Sequence, residues 1–442
     1  MRITIVTLGT RGDVQPYVAL ALGLKNAGHH VRLATHALFR NFVTGYGIDF
    51  AALPIDPQDL LAAEEDPQWI NPIGNTVRNI HKTVKTVSPF VHELLRDCVN
   101  ACADADVVLS STLGALAGYH VAEKLEVPFY PAYIQNIIRT GAYPSVLAPV
   151  LPLGSVYNRL SYSLGDRLAW QAIRPAINVL RREALGLPGL PLQFPLERVW
   201  QARQPHLLGF SPAVLPKPPE WGDWVHVTGY WFLPRPADWR PPAGLVDFLG
   251  AGPAPVSVGF GSITIGDPEA ATALVLEALA RSKQRGLLLT GWGGLRQSDL
   301  PDHVFKLEAV PHDWLFPRMA AVVHHGGAGT TAAGLRAGVP NIVIPNFMDQ
   351  PFWGHQVARL GAGPSPIPRN QLTARRLASA IQAAVGDPVL RSRAAAIGRQ
   401  LQAEDGVACA VEAFQRHPAW VLTNRPAAYH PVPGWAGKLR AR

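Results

Sequence analysis

The stretch Val322-Val-His-His-Gly-Gly-Ala-Gly-Thr-Thr-Ala-Ala-Gly-Leu-Arg-Ala-Gly-Val-Pro340 decides the fold. A short apolar run ends at two histidines. A glycine-rich turn follows, then a helical pattern over 329–337. Glycines here let the backbone approach a ligand where a Cβ would stand in the way. The free N–H groups and dipole of the helix start at 329–332 favour an anion such as phosphate. His325 can donate a hydrogen bond to it, and Thr330 offers a hydroxyl. A P-loop is excluded, because it needs Gly-Lys-Ser/Thr and no Lys is present. The dinucleotide fingerprint is met literally by Gly327-Ala-Gly329-Thr-Thr-Ala332, with Asp349 about 20 residues on. That turn lies deep in the second half, however, not in a first βαβ unit, and its paired His is unusual for a dinucleotide site.

Working outward, the second half alternates strands and helices. Strands are expected at Val256–Phe260, Gly286–Thr290, Val304–Val310, Ala321–His325 and Asn341–Pro345, and helices at 268–283, 329–337, 352–360 and Leu372–Val385. The first half does the same. Residues 3–9 form an apolar β-rich run, and Tyr17, Leu20, Ala21 and Leu24 follow helical spacing. Gly28 ends that helix, Val31–Thr35 is the next strand, and Val107–Thr112 and Val127–Tyr133 follow. This is α/β alternation, building two doubly wound parallel sheets with ligands beyond their carboxyl ends. Prolines 212, 216, 218 and 219 mark a linker between 212 and 225. The expected domains are 1–215 and 225–415, with a Pro- and Trp-rich tail over 416–442. The apolar stretch from Ala142 to Gly154 is broken by three prolines and cannot be a regular helix. It either rims an apolar cleft or is a buried connection.

The 442 residues exceed the usual size of one core, and 48% hydrophobic with 16% charged residues is a globular composition. The net charge of +8 suits anionic partners but is diffuse, with no basic arm or aromatic platform for nucleic acid. Three cysteines, Cys98, Cys102 and Cys409, argue against a disulfide framework and for a reducing, cytoplasmic setting. Cys98 and Cys102 stand one helical turn apart, but no other ligand pair has metal-site spacing, so no metal is expected. The first residues predict a β-strand rather than a secretory leader, and no apolar run is long enough to span a membrane. Peripheral contact with the inner face of the membrane stays open.

The run from His324 to Gln350 resembles the donor-binding signature of glycosyltransferase family 1, inverting and metal-independent enzymes with the GT-B fold of two facing Rossmann-like domains. The pieces are His325-Gly-Gly-Ala-Gly-Thr330, Gly338-Val-Pro340 and Asp349-Gln350. The opening Gly12-Asp-Val-Gln-Pro16 is similar to the motif of the bacterial and sterol branches. Val310-Pro-His-Asp-Trp-Leu-Phe-Pro317, Asp349-Gln-Pro-Phe-Trp-Gly354 and Gly229-Tyr-Trp-Phe232 are closest in wording to the sterol 3-β-glucosyltransferases.

The resemblance implies roles. Asp13 falls at the carboxyl end of the first strand, where a carboxylate could take the acceptor's proton. From the residues alone a helix cap is the leading reading; the family's base occupies this slot. The family's plant members pair a His here with a later Asp, but this chain has Asp13 and then Ser110-Ser-Thr112, which implies a single carboxylate base. His325, Gly327, Gly329 and Thr330 would hold the diphosphate, and Asp349 and Gln350 the sugar hydroxyls. Ser262 would contact the phosphate region, and the Val310-Pro-His312 backbone would read the base. Glu308-Ala309 replaces a plant stacking Trp, and Ala333 the ribose-binding Glu, so base stacking, ribose contacts and UDP against dTDP stay unassigned; His312 or Trp314 could stack. The implied reaction moves a hexose from a UDP-sugar, the co-substrate, to the hydroxyl of a sterol-like or other lipophilic acceptor. Polyketide, macrolide, carotenoid and hydroxy-lipid acceptors remain open, as does a UDP-sugar epimerase on the same fold.

Overall fold

The computed structural model describes residues 1–54, 92–261, 267–291 and 300–417. The first sheet comprises β1 (Arg2–Val6), β2 (His30–His36), β3 (Asp49–Leu53), β4 (Val107–Ser110), β5 (Phe129–Tyr133), β6 (His206–Leu208) and β7 (Val225–Val227). Its strand order is β3-β2-β1-β4-β5-β6-β7. The second sheet comprises β8 (Val256–Gly259), β9 (Gly286–Leu289), β10 (Val304–Leu307), β11 (Ala321–His324) and β12 (Asn341–Val343), in the order β10-β9-β8-β11-β12. The pairings are parallel in both sheets. Strands β4, β5 and β11 are buried at every position, as strands covered on both faces must be.

Strand order turns around at β1/β4 in the first sheet and at β8/β11 in the second. Loops leaving the two strands there diverge to opposite faces, which opens a crevice. Asp13 lies just after β1 and His325 just after β11, so the two crevices carry the residues singled out above.

The helix Arg11–Asn26 buries Val14, Tyr17, Val18, Ala19, Leu20, Ala21 and Leu24, the face its spacing foretold. The helix Pro268–Ser282 starts where Asp267 Oδ1 accepts the Glu269 N–H at 2.8 Å and proline takes the first turn. Cys98 and Cys102 are buried among apolar neighbours, and Cys409 is exposed.

The structure corrects the domain limits. Strand β7 pairs with β6, Val225 opposite His206 and Val227 opposite Leu208, so it closes the first sheet. The crossover therefore lies beyond Val227, not between 212 and 225. Proline density marks a loop but not the sheet that the next strand joins. At the other end, the helix Gly406–Gln415 returns to the first domain. Ala410, Ala413 and Phe414 share a core with Tyr17 and Leu24, and the Phe414 ring sits 5.3 Å from Tyr130. The unit expected at 225–415 thus gives up both ends to the first domain. The tail expected at 416–442 lies outside the described residues after His417.

The proline-broken stretch is irregular, and the helix Gly154–Leu185, absent from the sequence reading, begins where it ends. Ile138 and Val146 are buried, whereas Leu147, Leu151 and Leu153 are exposed, so one segment is both connection and rim. Apolar contact joins the domains: Phe210 meets Trp353 at 6.4 Å and Tyr143 meets Phe352 at 6.1 Å between ring centroids. Ser211 Oγ donates to Glu404 Oε1 at 2.6 Å across the same seam.

Candidate active site

Asp13 occupies the third helical position after its cap, Thr10. Its Oδ2 accepts from the Thr10 N–H at 2.9 Å and from Thr10 Oγ1 at 3.2 Å. The capping role is real, and it fixes the carboxylate at a helix N-terminus. Gly9 makes room: its φ is +120°, and a Cβ there would stand 2.5 Å from Asp13 Oδ2. The Gly9 N–H donates to His36 Nε2 at 2.8 Å, which pins the turn. Burial raises the Asp13 carboxyl above the usual carboxylate range, and Thr10 and Gln135 pull it partly back.

Gln135 was missed in the sequence, although a signal existed. It lies two residues beyond β5, as Thr112 lies two beyond β4, so strand ends deliver both beside Asp13's crevice. The Thr112 hydroxyl is buried without a partner among the described residues. No carboxylate but Asp13 is brought to this crevice by residues 110–112.

Across the cleft, His325 is clasped by glycines. A Cβ on Gly327 would lie 2.5 Å from its Nε2, and one on Gly261 would lie 2.7 Å from its Cε1. Its Nδ1 is buried without a partner among the described residues. Burial drives the imidazole down to about 4, so it is neutral at physiological pH. The helix Ala328–Ala337 begins at Gly327 with no side-chain cap, and Gly329 is exposed with open space around it. Uncapped N–H groups, an open glycine and a partnerless imidazole nitrogen together form a cradle for an anion. His324 serves the frame instead: Asn341 Oδ1 lies 3.0 Å from its Nε2, and its Nδ1 accepts the Gly326 N–H at 3.1 Å.

Asp349 precedes the helix Gln350–Leu360, but its side chain does not cap it. Its Oδ2 accepts from Trp353 Nε1 at 3.0 Å. Burial raises this carboxyl to about 7, and the Asp13 charge adds to the rise. Asp349 therefore feels the Asp13 charge across the domain cleft. Gln350 is buried, and its Oε1 accepts the Asn346 N–H at 2.9 Å. That commits its oxygen to the loop and leaves only its amide NH2 for a ligand.

The remaining expected residues divide. Val310 is buried in an apolar cluster, so only its backbone can face a ligand. His312 stacks on Phe316 at 4.3 Å, and burial, helped by Arg11 and His325, lowers it to about 4. Trp314 packs on Trp239 at 5.4 Å beneath the Arg318 guanidinium, and so belongs to the wall. Ser262 lies outside the described residues. Arg11, two residues before Asp13, was not singled out in the sequence; it brings a cation to the His312 side of the cleft.

Residues 3–144 match the glycosyltransferase family 28 N-terminal domain, and residues 293–412 match the erythromycin biosynthesis protein CIII-like C-terminal domain. A sterol 3-beta-glucosyltransferase of Arabidopsis thaliana is 41% identical over 100% of this chain and 69% of its own length. Those of Cryptococcus neoformans and Emericella nidulans are 38% and 37% identical over 94% and 96% of this chain. The chain spans only 27% and 30% of these fungal relatives. A kitacinnamycin glycosyltransferase superposes with a TM-score of 0.66 at 20% identity, covering 94% of this chain and 98% of its own. The calicheamicin glycosyltransferase CalG4 gives 0.66 at 18%, over 95% and 98%. The chain is a GT-B glycosyltransferase and belongs to the family of the sterol 3-beta-glucosyltransferases.

Proposed function

We propose that this protein transfers glucose, or a closely related hexose, from a UDP-sugar to the hydroxyl of a sterol-like acceptor with inversion. The observation that carries the reading is the pairing of the Asp13 crevice with the His325 cradle across one cleft, close enough for Asp13 to perturb Asp349. Asp13 takes the hydroxyl proton. The acceptor oxygen forms a bond to the anomeric carbon of the α-linked sugar, and the bond from that carbon to the diphosphate oxygen breaks. The electron pair leaves on UDP, and a β-glycoside forms. His325, Thr330 and the N–H groups of the Ala328–Ala337 helix receive the growing negative charge, so the scheme invokes no metal. Asp349 and the Gln350 amide bind sugar hydroxyls. The exposed Leu113, next to Thr112, supplies apolar surface for the acceptor.

Asp13→Asn tests this. Asn keeps an oxygen for the Thr10 cap but cannot act as the base. Turnover of UDP-glucose with a sterol is expected to fall about 10²–10⁴-fold, while calorimetric affinity for UDP holds. Near-normal turnover with a verified acceptor would refute the assignment.

The antibiotic glycosyltransferases among the structural neighbours favour a second reading of the acceptor, a polyketide-type hydroxyl with a dTDP-sugar donor. An acceptor and donor screen separates the two.

A further inference from the structure

Exposed large apolar side chains are unevenly distributed on this protein. Of the fourteen among the described residues, seven fall between residues 147 and 168: Leu147, Leu151, Leu153, Val156, Leu160, Leu164 and Leu168. The last four recur every fourth residue along the helix Gly154–Leu185, so they line up on one face for about 18 Å. Their exposures are 67%, 57%, 61% and 53%, whereas Asn158, Tyr162 and Trp170 on the opposite face are buried. An apolar ridge this long on a water-facing helix is not needed for folding.

Charge says what covers it. Arg159 and Arg167 stand beside Leu160 and Leu168 and are themselves exposed. The one acid between 139 and 174 is Asp166, partly buried and raised by that burial to about 6; from outside that span Glu220, bonded to Thr140 and Gly141, faces Arg159 and leaves Arg167 the freer cation. Apolar side chains flanked by arginines, with the acid withdrawn, match a bilayer surface: acyl chains receive the leucines and anionic headgroups the guanidiniums. A ridge meant for a second water-soluble protein has no such need of exposed cations at its edge.

We propose that the face formed by the proline-broken loop and the first four turns of the Gly154–Leu185 helix docks this glycosyltransferase on an anionic lipid surface. The helix lies in the interfacial plane with Val156, Leu160, Leu164 and Leu168 inserted. The proposal deepens the functional reading, because a lipophilic acceptor would be drawn from the same bilayer. Its evidence is independent of the acceptor's identity.

The test is co-sedimentation of the full chain, without substrates, with phosphatidylcholine vesicles containing or lacking phosphatidylserine. The wild type is expected to bind the phosphatidylserine vesicles. Leu160→Ser with Leu164→Ser should weaken that binding at least tenfold, and Arg159→Gln with Arg167→Gln should erase the preference for phosphatidylserine. Both pairs are exposed, so circular dichroism should be unchanged, and transfer to a detergent-dispersed sterol should persist. Absent binding, or binding equal in wild type and the leucine pair, overturns the proposal. So does a concentration-dependent dimer that the leucine pair abolishes, for then a second copy covers the ridge. If vesicles bind but no sterol is glucosylated, the docking face stands and the acceptor reading fails.

Discussion

Asp349→Asn should make the protein more stable at alkaline pH and no more stable in acid. The folded carboxyl holds its proton up to about 7, against 3.8 for the ordinary group. Between those values the unfolded chain has released a proton that the folded chain retains, so stability falls as pH rises through this window. Above it the penalty is complete; below about pH 4 it is gone. Roughly three pH units correspond to about 4 kcal/mol at most. Asp349 retains partial solvent contact, which brings the expected cost to about 1–3 kcal/mol. Asn preserves an oxygen for Trp353 Nε1 while removing the charge. At about 2.1 cal/mol/K per residue, a chain of this size unfolds with an entropy near 0.9 kcal/mol/K, so Tm should rise by about 1–3 °C. Scanning calorimetry of wild type and variant at about pH 8 and about pH 4 reads this directly. An equal change at both pH values, or a loss at pH 8, would refute the claim that a buried, like-charged carboxylate sits here.

Two further outcomes follow from the same cleft. Gln135→Leu removes a group that favours the Asp13 anion, so the Asp13 carboxyl rises and the acidic limb of the kcat–pH profile shifts to higher pH; an unmoved limb would show that Gln135 does not act on Asp13. Gly327→Ala places a Cβ 2.5 Å from His325 Nε2 and must displace the ring, so UDP affinity should drop about tenfold or more by calorimetry, with the fold retained.

Much of this was legible in the sequence because single local features carried it. The Val322–Pro340 stretch reads as strand, turn and helix, and the structure places β11 at Ala321–His324 and the helix at Ala328–Ala337. The capping side of Asp13 was legible too, and the geometry gives it the Thr10 bond at the mouth of the first crevice. What escaped depended on distant partners. Three-residue strands such as β6 and β7 carry too little pattern to be read, and their sheet is chosen by pairing, not by composition. The return of the Gly406–Gln415 helix to the first domain is likewise a tertiary event, driven by Phe414 reaching Tyr130. The helix Gly154–Leu185 escaped for another reason: apolar residues lie on both its buried and its exposed faces, which blurs the stripe that marks an ordinary surface helix.

The double use of Asp13 has a physical logic. A base must be ionised to work, yet the burial that excludes water from the reacting bond disfavours the ion. Placing the acid in the first turn of a helix lets the Thr10 N–H and hydroxyl offset part of that burial, which still leaves the carboxyl above its ordinary range. For Asp349 burial outweighs the help of the Trp353 indole and of its own backbone N–H, and the Asp13 charge adds to it, so its carboxyl rises to about 7. Both carboxyls are thus raised by burial, and the Thr10 and Gln135 hydrogen bonds hold Asp13 back while the Asp13 charge pushes Asp349 further up. The environments, more than the residue types, are what the proposed division rests on, with the base in the first domain and hydroxyl recognition in the second.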